Sequence, residues 1–208
     1  MKPASWIVVI SVLAAFAFPG HAFSKTGPAD TWRPEVMATV GVTSPLGSLL
    51  STEVGPRYPI GLEARARSES GIGGAVSAEV WWRAEKKLSG ALPVTLELSY
   101  GYPLLDGALV PFGGICARYT YSSLRLGPLA DSILAVGSGF GVGPALGLEA
   151  PLGSRFTGLC RMRLVLGEAW LSFNEELNGL AAGEHRVGLS SFEFGLGISF
   201  DLLDACMW

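Results

Sequence analysis

From residue 60 to residue 67 the chain reads IGLEARAR, in which Ile60, Leu62, Ala64 and Ala66 are separated by Gly61, Glu63, Arg65 and Arg67. A period of two puts successive side chains on opposite faces of an extended strand. The pattern recurs. Val36, Ala38, Val40 and Val42 share one face of 35–43. Within 74–85, Val76, Ala78, Val80 and Trp82 oppose Ser77, Glu79, Trp81 and Arg83. Within 92–102, Val94, Leu96, Leu98 and Tyr100 oppose Thr95, Glu97, Ser99 and Gly101. Ile115, Ala117, Tyr119 and Tyr121 oppose Gly114, Cys116, Arg118 and Thr120 in 111–121.

The second half of the chain repeats the alternation with more glycine. Phe140, Val142, Leu146 and Leu148 alternate with Gly139, Gly141, Gly143, Gly147 and Glu149 in 134–150. Cys160, Met162, Leu164 and Leu166 oppose Arg161 and Arg163 in 155–167. Phe192, Phe194, Leu196, Ile198, Phe200 and Leu202 oppose Glu193, Gly195, Gly197, Ser199 and Asp201 in 186–202. These stretches predict eight strands. Their connections differ in length: 44–58, 122–133 and 168–185 are long, 86–91 is intermediate, and 68–72, 103–109 and 151–154 are short. Short turns at one end and longer loops at the other are the habit of a membrane barrel whose turns lie in the periplasm.

Which face meets water is decided by the charges. By parity Glu63, Arg65, Arg67, Glu79, Arg83, Glu97, Arg118, Glu149, Arg161, Arg163, Glu193 and Asp201 share one face, with acids balancing bases and lysine absent. A solvated face would mix in lysine, whereas arginine suits enclosed, bidentate pairs with carboxylates. The set therefore reads as a charge network pointing into a narrow lumen, with the apolar face towards lipid. The alternative, a secreted soluble β-domain with this face in water, ranks below it. A sheet in lipid must close on itself, because an open edge leaves backbone groups unsatisfied. Eight strands enclose an interior just wide enough for side chains. Glycines on the inner face, Gly139, Gly141, Gly143, Gly195 and Gly197, are expected to leave room for long charged side chains opposite. Trp32, Tyr58, Trp82, Tyr100, Tyr102, Tyr119, Tyr121 and Trp170 fall at or near strand ends, where an apolar ring with a polar tip suits the membrane–water boundary.

The N-terminus adds a compartment. Lys2 precedes an apolar run from Ile7 to Phe18, and Gly20-His21-Ala22 supplies small residues for cleavage. Residues 1–22 read as a secretory signal peptide, followed by a periplasmic segment over 23–34 and the barrel over 35–208. The chain is 49% hydrophobic with mean hydropathy +0.40. Its formal net charge of −3 argues against nucleic acid as a partner.

Taken together, the Gly-rich GFGVGPALGLEAPLG strand and turn and the closing FEFGLGISFDL make the chain resemble the small eight-stranded outer-membrane proteins, the OmpA-transmembrane, OmpX and OmpW-like group. The resemblance spans about 31–208. It implies an all-β, eight-stranded antiparallel up-and-down transmembrane β-barrel in the outer membrane. It also implies outer-membrane lipid, lipopolysaccharide and the barrel-assembly machinery as partners. Members of the group commonly end in an aromatic assembly signal; Trp208 is aromatic, but Asp204 and Cys206 interrupt the outward face, so the signal here is expected to end near Phe200.

Sites of chemistry are not evident. The glycines of 137–143 repeat every two residues with no helix after them, unlike a dinucleotide fingerprint, and neither a GxSxG elbow nor HExxH occurs. No enzyme, cofactor or metal is expected. Glu175 and Glu176 read as decoration of an outer loop, His185 as a loop histidine. Ser191 and Glu193 fall on the lumen side, whereas a nucleophile acting on lipid would open outward. Cys116, Cys160 and Cys206 form no CxxC pair and read as incidental thiols; parity turns Cys116 and Cys160 to opposite faces. Two function classes follow: a structural or surface-displaying barrel with a plugged lumen whose loops contact ligands or host, or a porin-like barrel passing small or hydrophobic solutes.

Overall fold

The computed structural model describes residues 32–46, 56–82, 89–125, 133–153, 155–173 and 182–201. The expected signal peptide (1–22), most of 23–34, Arg83, Glu175, Glu176, Leu202, Cys206 and Trp208 lie outside the described residues. The strands are β1 (Trp32–Pro45), β2 (Tyr58–Ser68), β3 (Ile72–Trp82), β4 (Ser89–Gly101), β5 (Val110–Arg125), β6 (Ile133–Pro151), β7 (Phe156–Phe173), β8 (Gly183–Gly188) and β9 (Ser191–Asp201). Sequential neighbours pair antiparallel from β1 to β7. β9 then pairs with both β7 and β1, which closes the ring. β8 and β9 occupy one position in the wall, separated at Leu189-Ser190, so the fold is an eight-stranded, closed, up-and-down barrel.

Turn chemistry explains the tight end. At Ser68–Gly71 the amide of Gly71 donates to the carbonyl of Ser68 at 3.0 Å. Gly71 has φ 94°, a conformation open to glycine and strained for residues with a Cβ. In the turn between β4 and β5, Leu104 and Leu109 pair by backbone hydrogen bonds of 2.7 and 3.3 Å around a short 3-10 turn, Leu105–Gly107.

The two faces differ as the alternation requires. Outward residues such as Val40, Leu62, Leu98 and Ile115 are 55%, 58%, 64% and 66% exposed, while Glu63 and Arg118 are each 2% exposed. A soluble sheet sandwich would reverse this. Ala64 and Val76, cross-strand partners on the outer face, are themselves buried.

Some boundaries differ from the sequence reading. β1 begins at Trp32 and β5 reaches Arg125. β7 continues to Phe173, and β8 starts at Gly183, so much of the expected 168–185 loop is paired strand. His185 therefore sits on β8, its ring edge-on to Phe173 at 5.7 Å, rather than in a loop. The reason is a change of face chemistry. Above Gly167 the inner side turns apolar, with Ala169, Leu171, Phe173 and Val187 forming a small buried core against which Leu189 packs.

The glycines also act differently from expectation. A Cβ on Gly143 would lie 1.7 Å from the Leu164 carbonyl oxygen, one on Gly139 2.6 Å from that of Glu168, and one on Gly141 2.7 Å from Val165 Cγ1. These residues let β7 come close to β6 rather than making space for charges. On Gly197 a Cβ would meet Met37 Sδ at 2.7 Å. Room for the charged groups comes instead from Gly61, beside Glu79, and from Gly101, beside the Arg67 guanidinium. Gly143→Ala should therefore destabilise the barrel by about 1–3 kcal/mol, the usual cost of overpacking. Gly195→Ala, whose Cβ has 3.7 Å to its nearest neighbour, should be close to neutral. Urea midpoints of the two variants in detergent would show the contrast; equal midpoints would contradict it.

Candidate functional site

The lumen is the site to which most of the buried chemistry belongs. Inner positions of β1 to β7 and β9 place their side chains there, and in three tiers these side chains meet across the bore.

At the end with the short turns, Arg65 on β2 donates to Glu35 at 2.6 Å and to Glu149 on β6 at 2.7 Å. Arg67 makes a two-pronged pair with Glu149, and its guanidinium lies 5.5 Å from the Phe112 ring centroid. Ser199 Oγ donates to Glu35 at 2.6 Å. Met37, Phe112 and Leu159 form a small apolar cluster inside the barrel.

The middle tier is the most enclosed. Arg161 reaches Glu63 at 2.6 Å and Glu97 at 3.5 Å. Arg163 contacts Glu97 at 2.9 Å, Glu79 at 3.2 Å and Glu63 at 3.6 Å. All five residues are buried. Arg163 thus hydrogen-bonds the carboxylates of Glu97 and Glu79 and faces that of Glu63, from strands β4, β3 and β2.

Nearest the long connections, Arg118 on β5 forms a bidentate pair with Glu193 on β9. Its Nε donates to Thr95 Oγ1 at 2.9 Å, and Ser191 Oγ donates to Glu193 at 3.1 Å. The Trp81 indole N–H donates to Glu79 at 2.9 Å. The Arg118 and Arg57 guanidinium carbons lie 5.2 and 5.6 Å from the centre of the Trp81 rings.

Apart from Arg65 with Glu35, these ion pairs join strands that are not neighbours in the wall. Between them remain cavities of about 40 Å³, beside Glu35, Arg65 and Glu149, and about 20 Å³, beside Thr39, Glu79 and Arg163. A water needs on the order of 10–15 Å³ on this measure, so the larger space takes about three waters and the smaller about one.

Of the residues singled out by parity, Glu63, Arg65, Arg67, Glu79, Glu97, Arg118, Glu149, Arg161, Arg163 and Glu193 come together in these tiers. Asp201 is half-buried at the end of β9, opposite Glu35 in register. The predicted charge network leaves out Glu35 and Arg57, while parity already puts Trp81 on the inner face with Glu79 without giving it a partner. Glu35 shares the parity of Met37 and Thr39 and was legible on that ground. Arg57 lies just before the alternation begins. Cys116 is buried on the inner face and Cys160 is half-buried; both are free thiols.

The outward aromatics Trp32, Tyr58, Tyr100, Tyr102, Tyr119, Tyr121 and Trp170 are all exposed. Trp170 lies within β7, and Trp32 opens β1. The Trp82 backbone pairs with Tyr58 at the opposite end of β3 from Ile72. Outward Arg186 and Glu168 pair with each other above the apolar belt, beside Trp170.

A closed strand ring with an apolar exterior and a charged, cross-linked interior is the architecture of a transmembrane β-barrel. The described residues contain no helix long and apolar enough to cross a membrane. No protein-family model matches the chain, and no curated protein sequence matches it. Among solved structures, the chain is similar to the outer membrane protein OprG from Pseudomonas aeruginosa, with TM-score 0.56, 16% identity and coverage of 82% of this chain and 96% of that one. It is also similar to Neisserial surface protein A, with TM-score 0.50, 13% identity and coverage of 82% and 97%. The chain has the fold of the small eight-stranded outer-membrane barrels.

Proposed function

We propose that this chain is an integral outer-membrane protein whose lumen is held shut by paired charges. In this reading it serves as a structural or surface-displaying barrel. The short turns face the periplasm and the long connections face outward, where they contact lipopolysaccharide, host or other ligands. The carrying observation is the set of arginine–glutamate pairs that span the bore between non-adjacent strands. A hydrated ion or solute would have to break these pairs to pass, and the cavities described among them are only about 40 and 20 Å³.

No catalytic step belongs to the proposal. Ser191 is buried and hydrogen-bonded to Glu193 inside the barrel, away from lipid substrates. The porin-like reading for small or hydrophobic solutes stands second, because the small cavities and balanced lumen charges favour closure.

Liposome swelling tests the difference. Vesicles holding the refolded protein should swell in small sugars and amino acids no faster than empty vesicles. Swelling that scales with the amount of protein and falls with solute size would transfer the assignment to solute passage.

A further inference from the structure

The residues that line the lumen nearest the long connections are unusually small for a sealed position. Thr43, Pro93, Thr120 and Ser191 are each at most 5% exposed, although none is large enough to cover its neighbours. The hydroxyls of Thr43 and Thr120 are cut off from bulk solvent and have no hydrogen-bond partner. At this end the large inner side chains among the described residues are Trp81, itself 5% exposed, and, across the bore, the buried Leu171, Phe173 and Val187 of β7 and β8. Three contacts fix the orientation of Trp81: the indole N–H to Glu79, and the Arg118 and Arg57 guanidiniums near the ring system.

We infer that Trp81 is the outer seal of the lumen, a plug distinct from the ion pairs beneath it. The inference rests on the closed-lumen reading and adds to it where closure is made and by what. The indole fills the width that small neighbours leave, and its edge N–H ties it to the middle tier through Glu79. A guanidinium near an indole is held by attraction to the ring's electron-rich face, so Arg57 and Arg118 keep the plug from rotating away. Removing the ring would open a path from the long-connection end down to Arg118 and, one inward position further along β5, to Cys116.

Cys116 is 2% exposed on the inner face and is a built-in reporter of that path. With Cys160 and Cys206 replaced by serine, the refolded protein is treated with a small cationic methanethiosulfonate, and Cys116 modification is followed by mass spectrometry. In the otherwise unmutated barrel the reaction should be slow. Trp81→Ala should speed it at least about tenfold, Trp81→Leu by less, and Trp81→Phe, which keeps a ring but loses the N–H, least of all. Heat-dependent gel mobility confirms that each variant is folded; if Trp81→Ala does not fold, the ranking of Trp81→Leu above Trp81→Phe carries the test. Protection of Cys116 in every folded Trp81 variant would overturn the seal while leaving the closed lumen intact. Rapid modification with Trp81 in place would also overturn the seal. Ion conductance of the unmutated barrel would defeat the closed lumen itself, and is measured separately.

Discussion

Arg163→Met is expected to destabilise the barrel by about 3–5 kcal/mol, the usual cost of removing one partner from a buried ion pair. Arg163 lies between Glu79 and Glu97 and also faces Glu63, and all four side chains are nearly inaccessible. Methionine fills most of the volume of the arginine stem but leaves carboxylates facing one another in an enclosed space. Arg161 would then be the nearest cation, already engaged with Glu63. The urea concentration at which the heat-resistant gel band disappears should fall well below that of the unmutated protein. Adding Glu97→Gln to Arg163→Met should recover part of the loss, since it removes one of the stranded charges. An Arg163→Met barrel as stable as the original would mean that these pairs have no part in holding the strands together.

The second large effect is expected on the other face. Leu96 is 48% exposed at the middle of the outward row of β4, between Val94 and Leu98, whereas its neighbour Glu97 is 5% exposed inside. Leu96→Arg would place a guanidinium against hydrocarbon, at roughly 2–4 kcal/mol for a midplane position. Leu96→Ile should change little. If water bathed this face, arginine would be tolerated as well as isoleucine, and the assignment of inside and outside would be reversed.

Strand pairing and facing were open to reading from the sequence because the alternation of polar and apolar positions runs unbroken through 60–67 and 92–102 and through most of 155–167, where Leu159 and Val165 also point inward. In each, the charged residues of the network lie on one face and the structure keeps them inside. Beyond Gly167 the same period continues with the roles exchanged: Glu168 and Ser172 point out, and Ala169, Leu171 and Phe173 point in. A pattern sought as apolar-out fails there, which is why β7 runs longer than expected and why the start of β8, Gly183–His185, reads as loop. Glu35 was missed because it opens a stretch whose inner face is otherwise uncharged. The individual partners of each arginine were not legible at all. They join strands distant in sequence, such as β2 with β6 and β5 with β9, and depend on the stagger of the closed ring rather than on any local spacing. The glycines mislead for a related reason: their positions mark close approach between adjacent strands, which parity alone cannot tell from space left for a side chain across the bore.

The central claim is that charges face inward and close the lumen by pairing. Recording current across a planar lipid bilayer containing the purified, refolded, unmutated protein tests it most directly. The expected result is a membrane that, after insertion of heat-modifiable barrels, shows little or no steady conductance at any applied voltage. Regular channels of reproducible, voltage-stable conductance would contradict it.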